Sequence, residues 1–268
     1  KARYDVDYAD LVNPVLSSSS VSHQDKEAYR FSANYLLGRK GNIFASYGRG
    51  FRFPVTDEFV IPGYCFSGYC QPTEINTSLK PQISDELDVG FRYNPVYYAG
   101  GSVTFFRAKN RNEIYYDPIL FANLNYDRTT RTGIEASVFF QPVDPLRVTI
   151  NYSYIKAVFD GGSYNGNDVP LVPRNKLAVK LSYTVLNDFT INLTGVARSN
   201  CYMISDQKNE ESKLPGYTIF DTSIVWRKGR FMTLFAIKNL TGKKYSENGV
   251  YSPFADDVHR RPSDYFPW

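Results

Sequence analysis

The chain has 268 residues, and its 31 Lys and Arg against 27 Asp and Glu leave a formal charge of +4. Apolar residues make up 43% of the chain, yet no uninterrupted apolar run reaches the roughly 18 residues of a membrane-spanning helix. This composition excludes a disordered chain and a helical membrane protein. The small, dispersed positive charge also argues against nucleic acid as a partner.

Aromatic residues are abundant, with 22 Tyr, 19 Phe and 2 Trp. Phe and Tyr favour strands, whereas the strong helix formers do not dominate here. The chain has two His and three Cys, too few to expect a zinc site or another His/Cys metal centre. Both histidines, His23 and His259, fall in predicted loops with no nucleophile at a recognisable spacing. We therefore expect no catalytic residues, no metal, no cofactor and no enzyme activity.

Alternation of apolar and polar residues is the dominant pattern, and it predicts strands because successive side chains of a strand point to opposite faces. A clear case is the alternation of Val148, Ile150, Tyr152 and Tyr154 with Thr149, Asn151 and Ser153. About eleven strands and no helix are predicted, at 2–11, 27–37, 42–53, 86–93, 101–116, 134–140, 148–154, 177–183, 189–204, 217–228 and 230–245.

The connections alternate between short and long, which is typical of an up-and-down sheet whose two rims differ. The long connections are 12–26, 54–83, 117–130, 159–174, 205–216 and 246–268. Several strands have the length that crosses a bilayer when tilted, and many apolar faces end in Tyr, as in an interfacial aromatic girdle. The pattern predicts an antiparallel transmembrane β-barrel with apolar residues facing lipid, although a soluble, secreted β-sandwich such as a lectin stays open.

Six short segments carry a more specific signal, and in chain order they are 44–54 (FASYGRGFRFP) with Asp57-Glu58, 79–93 (LKP, then ELDVGFRY), 109–114 (KNRNEI), 132–135 (TGIE), 172–177 (VPRNKL) and 238–245 (KNLTGKKY). Together, in this order and at these spacings, they resemble the barrel of TonB-dependent outer-membrane receptors.

That resemblance implies a barrel of twenty-two strands with an N-terminal plug domain inside it, in the bacterial outer membrane. About eleven strands are half such a barrel, and the plug is absent from this sequence. Residues 265–268 (YFPW) look like the approach to the family's final strand. We expect residues 1–268 to be the C-terminal part of the barrel domain without its last strand. Its partners would be membrane lipid and lipopolysaccharide, the remaining strands and plug of the same receptor, and TonB acting through that plug.

The long connection at 54–83 is the first candidate binding region, because long ordered loops are usually functional. It holds Tyr64, Phe66 and Tyr69 around Cys65 and Cys70. The two cysteines are close enough in sequence for a disulfide in a non-cytosolic compartment, with two free thiols as the alternative. Cys201 stands alone and is expected to stay a free thiol.

Further candidates lie near the neighbouring loop at 117–130. The complete set of predicted ligand-binding residues is Arg49, Arg52, Tyr64, Phe66, Tyr69, Phe121, Tyr126, Arg128 and Arg131. Aromatic rings offer contact area to a bulky ligand, and the arginines favour an anionic one such as a ferric siderophore. The alternative is that these side chains are solvated or face lipopolysaccharide.

The resemblance implies a receptor that takes up a scarce nutrient chelate, with a ferric siderophore as the commonest class in the family. Cobalamin, haem and oligosaccharide stay open as substrates. The alternative functions are a passive outer-membrane channel without a plug and an adhesin barrel.

Overall fold

The computed structural model describes residues 2–7, 21–61, 64–66, 69–71, 74–117, 120–186 and 188–250. Its strands are β1 Ala2–Asp7, β2 Val21–Lys26, β3 Tyr29–Leu37, β4 Gly41–Arg52, β5 Val60–Ile61, β6 Tyr64–Phe66, β7 Tyr69–Gln71, β8 Glu74–Ile75, β9 Gln82–Val96, β10 Ala99–Arg111, β11 Ile114–Asp117, β12 Ala122–Asn125, β13 Arg128–Val143, β14 Leu146–Phe159, β15 Asn175–Val185, β16 Phe189–Arg198, β17 Tyr217–Lys228 and β18 Phe231–Ile237. Two 3₁₀ helices, Thr56–Phe59 and Gly162–Tyr164, lie in connections. No helix in these ranges has the length and apolarity to cross a membrane.

Ten of the strands form one antiparallel sheet in the order β18-β17-β16-β15-β14-β13-β10-β9-β4-β3. Each strand of this sheet pairs with the next strand of the same sheet along the chain. The smaller strands that come between them in sequence lie within the connections. The other strands form four two-stranded sheets, β1-β2, β5-β8, β6-β7 and β11-β12. The predicted all-β, up-and-down antiparallel fold is confirmed.

The prediction is wrong at the N-terminal end of the sheet. The sequence predicts a loop at 12–26, but β2 lies in this segment and pairs with β1 over six residue pairs. β1 therefore belongs to a separate hairpin among the described strands. The polar sequence of β2, VSHQDK, has no period-two apolar face, so its strand conformation comes from pairing rather than from local pattern.

Three predicted strands extend too far, and Asn112 and Asn239 mark the true ends of two of them. The segment 101–116 ends at Arg111, because Asn112 takes a positive φ of 55° and the chain turns into β11. The segment 230–245 ends at Ile237, just before Asn239, whose φ is 48° and whose backbone N–H donates to Asp221 at 2.8 Å. The segment 189–204 ends at Arg198, and Cys201 then pairs with Leu214.

The sheet has one apolar and one polar face, defined here by β14. The apolar face carries Val148, Ile150, Tyr152 and Tyr154, and the polar face carries Thr149, Asn151 and Ser153. Cross-strand register extends both faces over neighbouring strands. One apolar row is Phe140, Val148, Leu181 and Leu193, and one polar row is Glu135, Ser153, Lys176 and Arg198. The predicted sorting of side chains on β14 is confirmed, and the contact of the apolar face with lipid stays a prediction.

Glycines on the sheet lie directly opposite aromatic residues of the neighbouring strand. Phe44 faces Gly90 and Phe106 faces Gly133 on the polar face. A Cβ atom at Gly90 would lie 2.1 Å from Phe44 Cζ, so the ring occupies the space that a side chain would need. Any residue larger than glycine at these positions would therefore overlap the opposing ring.

The two outermost strands of the main sheet, β3 and β18, are exposed at every residue. Each has one neighbour in the described sheet, so one backbone edge of each strand has no partner there. Most buried side chains of the described chain lie instead toward the rim where the long connections are found, for example Phe59, Leu79, Phe159 and Leu214, whereas Val148 is buried near the opposite rim.

Candidate functional site

Four long connections leave the same rim of the main sheet, and we name them L1 (residues 53–81), L2 (112–127), L3 (160–174) and L4 (199–216). They follow β4, β10, β14 and β16, which run in the same direction in an antiparallel sheet. The opposite rim has tight turns, such as the one at Gly38 between β3 and β4 and the one at Gly229 between β17 and β18.

L1 and L2 are joined by side-chain amides. The Asn76 amide donates to the Asn123 carbonyl at 2.8 Å. Asn125 forms a reciprocal pair with the backbone of Lys80, accepting from its N–H at 2.8 Å and donating to its carbonyl at 3.0 Å. Leu79 is buried beside this junction. Among the described strands, L1 and L2 share no sheet. The side-chain amides therefore satisfy backbone N–H and carbonyl groups that would otherwise need a strand partner, and in doing so they hold the two loops together.

L3 and L4 are joined in the same way. The Asn167 amide donates to the carbonyls of Gln207 and Lys208, at 2.9 and 3.0 Å. The side chain of Asn209 accepts from the Asp168 N–H at 2.6 Å and donates to the Asp168 carbonyl at 3.0 Å.

Within L4, the Asp206 carboxylate is buried and accepts the backbone N–H groups of Glu210 and Glu211 at 3.0 and 3.2 Å. Burial raises the pKa of Asp206 above its ordinary range, and these two hydrogen bonds oppose the rise.

A line of aromatic rings connects L2 with L3. Tyr115 stacks on Tyr126 with ring centroids 3.8 Å apart, and Tyr126 meets the edge of Phe159 at 4.8 Å. Tyr164 of L3 then packs on Phe159 at 5.5 Å. Gln207 of L4 is buried, and its backbone carbonyl accepts from the Asn167 amide of L3, which brings L4 into the same assembly. We call L1 to L4, held by these contacts, the loop layer.

Burial in this line of rings changes the acidity of its tyrosines. It raises the pKa of Tyr115 to about 12, and it raises the pKa of Tyr126 further. Both hydroxyls therefore stay protonated at physiological pH. Neutral rings can pack closely without burying charge.

An ion pair supports the base of L2. Arg131 on the polar face of β13 makes a two-pronged contact with Glu113, with nitrogen–oxygen distances of 2.8 and 2.5 Å. The Thr129 hydroxyl donates to the same carboxylate at 2.6 Å. Burial raises the pKa of Glu113, but the hydrogen bonds and charge of Arg131 outweigh burial and leave the pKa below its ordinary range. Glu113 is therefore ionised at neutral pH.

The four predicted arginines do not converge on one site. Register places Arg49 and Arg128 on the apolar face and Arg52 and Arg131 on the polar face. Three of them are already neutralised by carboxylates: Arg49 by Asp85 at 2.6 Å, Arg52 by Glu58 at 2.8 Å, and Arg131 by Glu113. Arg128 has no ion pair in the part of the chain that the structure describes, and it lies against Gly161.

The predicted aromatic residues also take different places. Tyr126 is 9% exposed and packs inside the loop layer, whereas Phe121 is 54% exposed at the tip of the β11-β12 hairpin. Tyr64, Phe66 and Tyr69 lie in the β6-β7 hairpin of L1, and their side chains are outside the described part of the structure.

The three cysteines are also placed separately. The backbone of β6 and β7 pairs Cys65 directly with Cys70. Their side chains lie outside what the structure describes, so the disulfide stays a prediction. Cys201 is a buried free thiol, and Arg198 Nη2 donates to its sulfur at 3.0 Å. Burial raises the pKa of Cys201, against the opposing effect of Arg198.

Sequence reasoning missed the residues that hold the loop layer together, including Tyr115, Phe159 and Gln207. Tyr115 was placed inside a continuous predicted strand and Phe159 in the long connection just after one. The sequence does show aromatic residues near the ends of predicted strands, which could have indicated packing there. The residues that these rings contact, however, lie in other loops. No local pattern identifies such partners.

Comparison with known proteins identifies the fold family. The family model described as "TonB dependent receptor-like, beta-barrel" matches residues 2–240. The chain belongs to this family. Members of the TonB-dependent receptor family are outer-membrane β-barrel proteins, and they are receptors and transporters rather than enzymes.

Individual members of this receptor family are distant in sequence. The probable TonB-dependent siderophore receptor PiuA of Acinetobacter baumannii is 21% identical over 202 residues, which are 69% of this chain and 26% of PiuA. The ferric yersiniabactin uptake receptor FyuA of Yersinia pestis superposes with a TM-score of 0.67 at 18% identity, over 94% of this chain and 38% of FyuA. The copper transporter OprC gives the same TM-score and coverage at 15% identity.

These identities show a common fold and leave the cargo open, since the similar structures include both a ferric yersiniabactin uptake receptor and a copper transporter. The chain also spans 26% to 38% of the length of these three relatives.

Proposed function

We propose that the chain forms the C-terminal part of the barrel of an outer-membrane receptor that takes up a ferric siderophore, with energy delivered by TonB through a plug domain. The observation that carries this proposal is the loop layer. Four long connections from one rim are joined by side-chain amides and stacked rings into an assembly that presents exposed groups at its surface.

The exposed tip of L2 is the part of this layer that we propose as a ligand contact. Tyr116, Leu120 and Phe121 are exposed there, while Tyr126 is buried beneath them. Phe121 takes a left-handed φ of 51°. Arg128 follows L2 on the apolar face and has no ion pair in the described chain, so it would contribute to binding of an anionic chelate through longer-range attraction rather than direct contact. Tyr126 and Arg131 would support L2 rather than touch the ligand.

Uptake by the whole receptor tests this function. The full-length receptor would be expressed in an iron-starved Gram-negative strain that lacks siderophore receptors and supplied with ferric catecholates, hydroxamates or citrate. We expect uptake of one of these classes, dependent on TonB. Uptake of small solutes without TonB would support a passive channel instead. TonB-dependent uptake of cobalamin or copper alone would keep the receptor and overturn the siderophore assignment.

A matched pair of substitutions tests the contact at L2. Phe121→Ala removes an exposed ring from the loop layer, and Tyr97→Ala removes one that is 84% exposed at the opposite rim. We expect the first to weaken chelate binding by about tenfold, the loss of one aromatic contact of 1–1.5 kcal/mol, and the second to leave binding unchanged. Equal effects of the two substitutions would remove L2 from the binding surface.

The Cys65–Cys70 disulfide is the second part of the proposal. Directly opposed residues of an antiparallel pair have Cα atoms about 4.5–5.5 Å apart, within the range that a disulfide spans. We expect the native receptor to gain two alkyl groups at these positions only after reduction, measured as intact mass. Ready alkylation of both thiols without a reductant would contradict the disulfide.

A further inference from the structure

The chain's excess of positive charge lies at the rim that carries the tight turns, which we name the short-turn rim. It consists of the five turns of the main sheet, each taken with the two residues of either strand next to it. This band holds six cations and two acids: Arg39, Lys40, Arg147, Arg227, Lys228 and Arg230, against Asp144 and Asp188. The difference equals the whole formal charge of +4, so positive and negative residues balance in the rest of the chain.

The cations of this rim are exposed and are not neutralised. Within the described ranges, none of the six has an ion pair. Arg147 lies over the Phe139 ring, 4.4 Å from its centroid, and this contact leaves the charge in place. The Asp188 carbonyl accepts the Arg227 backbone N–H at 2.8 Å, but the Asp188 carboxylate forms no ion pair in the described chain. The rim therefore keeps a net positive charge.

Most of these cations form two clusters at opposite ends of the sheet. Arg39 and Lys40 lie in the turn between β3 and β4, and 227–230 holds three cations at the turn between β17 and β18. These turns are eight strand spacings apart in the ten-stranded sheet, about 38 Å along it. A small anion reaches one cluster at a time, whereas an extended polymer can engage both.

The position of the clusters places them beyond the bilayer surface. Trp226 lies on the apolar face and stacks on Phe189, as an aromatic residue at a membrane–water interface does. Lys228 follows two residues later, about 7 Å further along the strand. Arg147 and Arg227 lie on the polar face, away from lipid. The charges of this rim are therefore directed past the lipid headgroups.

We propose that the short-turn rim binds peptidoglycan, the carboxylate-bearing polymer on the periplasmic side of the outer membrane. Outer-membrane barrels direct their short turns to the periplasm. The peptide carboxylates of the polymer complement the cations, and simultaneous contact with both clusters strengthens binding through multivalency. The inference rests on the outer-membrane location in the proposed function, and it does not depend on the chelate.

Co-sedimentation of the full-length receptor in detergent with purified peptidoglycan sacculi tests the surface. The readout is the receptor concentration at which half of the sacculus-binding capacity is filled. The test variant replaces four cations of the two clusters: Arg39→Gln, Lys40→Gln, Lys228→Gln and Arg230→Gln. We expect this concentration to rise about tenfold or more, because the contacts at both clusters are lost together.

The matched control removes the same charge from exposed cations in the half of the sheet near the long loops. It carries Arg107→Gln, Lys109→Gln, Lys156→Gln and Lys176→Gln. Binding of this variant to sacculi should equal that of the unaltered receptor. An equal loss in the control and the test variant would overturn the proposal.

Two further measurements need no variant. Sacculi whose carboxyl groups have been converted to neutral amides should retain little receptor, and binding to untreated sacculi should fall as salt rises from 50 to 500 mM. Equal retention by the two kinds of sacculi, or salt-independent binding, would contradict the inference.

Nanodiscs distinguish the polymer from lipid as the occupant of these cations. The receptor in nanodiscs of zwitterionic lipid and in nanodiscs with one third anionic phospholipid should bind sacculi equally. Loss of binding in the anionic nanodiscs would show that lipid headgroups occupy the cations, and it would overturn the proposal. Failure of siderophore uptake with sacculus binding intact would count against the proposed function alone, since none of these measurements involves transport.

Discussion

Ile150 and Asn151 are neighbours on β14, and a charged side chain at either position would meet opposite surroundings. Ile150 lies on the apolar face, in register with Val138 and Val179, whereas Asn151 lies on the polar face with Ser137. We expect Ile150→Arg to lower the free energy of unfolding of the full receptor in lipid vesicles by about 2–4 kcal/mol. Asn151→Arg should cost much less. Equal costs would show that the apolar face does not contact lipid.

Glu113 and Arg131 form a largely buried pair, so removing either partner leaves the other charge uncompensated. We expect Glu113→Gln to lower the local stability of L2 by about 1–3 kcal/mol, seen as faster amide hydrogen exchange in β11 and β12. Arg128→Gln is the control, since Arg128 has no ion pair in the described chain. Similar exchange in the two variants would contradict a supporting role for the pair.

The same pair predicts a pH dependence with a definite sign. The pKa of Glu113 is lowered in the folded protein, so its ionised form stabilises L2 at neutral pH. This contribution is lost as pH falls below the ordinary glutamate pKa of about 4.3 and through the lowered folded value. The difference in protection between the unaltered receptor and Glu113→Gln should therefore shrink toward pH 3.

Neighbouring strands in this sheet pack an aromatic ring of one strand over a glycine of the next. Phe44 of β4 and Gly90 of β9 are one such pair. Gly90→Ala should destabilise the sheet by about 1–3 kcal/mol, because the new methyl group would overlap the Phe44 ring. In a Phe44→Ala background the same change should cost far less. Gly50→Ala, on β4 with no atom within 4 Å of the new methyl group, is the control. Additive effects in a double-mutant cycle of unfolding would contradict the steric account.

The alternation of apolar and polar residues predicted where the centres of the strands lie, but it did not predict where the strands end. Where one face is apolar, the period of two is enough to place β13, β14 and β15. The end of β10 depends on Asn112, whose carbonyl accepts from the Asn125 amide at 2.8 Å. The end of β18 depends on Asp221 of a neighbouring strand. Contacts of this kind join residues that are distant in sequence, and so they leave no periodic pattern.

The whole sheet has two open edges in the described chain, on β3 and β18. An unpaired backbone N–H or C=O in hydrocarbon costs several kcal/mol, so we propose that strands of a longer barrel domain cover both edges. Residues 1–268 alone should fail to give a heat-stable monomer in detergent or lipid, whereas the full receptor should fold. Heat-modified migration in electrophoresis with limited proteolysis would measure this. A protease-resistant monomer of residues 1–268 would contradict the proposal and favour a small passive channel.

The sequence by itself determined the class of fold, the sorting of side chains between the two faces of the strands, and the resemblance to the family. These follow from features that are local or simply ordered along the chain: alternation with period two, alternating connection lengths and six short segments in a fixed order. The prediction of Tyr64, Phe66, Tyr69, Phe121 and the four arginines as ligand contacts likewise rests on residue type and on position in or beside a long connection.

Only the tertiary structure decided how those candidates are used. Register, which sequence does not state, divides the arginines between the two faces and gives three of them carboxylate partners. Packing between loops buries Tyr126 and leaves Phe121 exposed. The up-and-down topology also brings the cations of separate turns, Arg39 and Arg230 among them, to one rim. Residue type sets what a side chain can bind, but its charge balance and exposure depend on neighbours that only folding brings together.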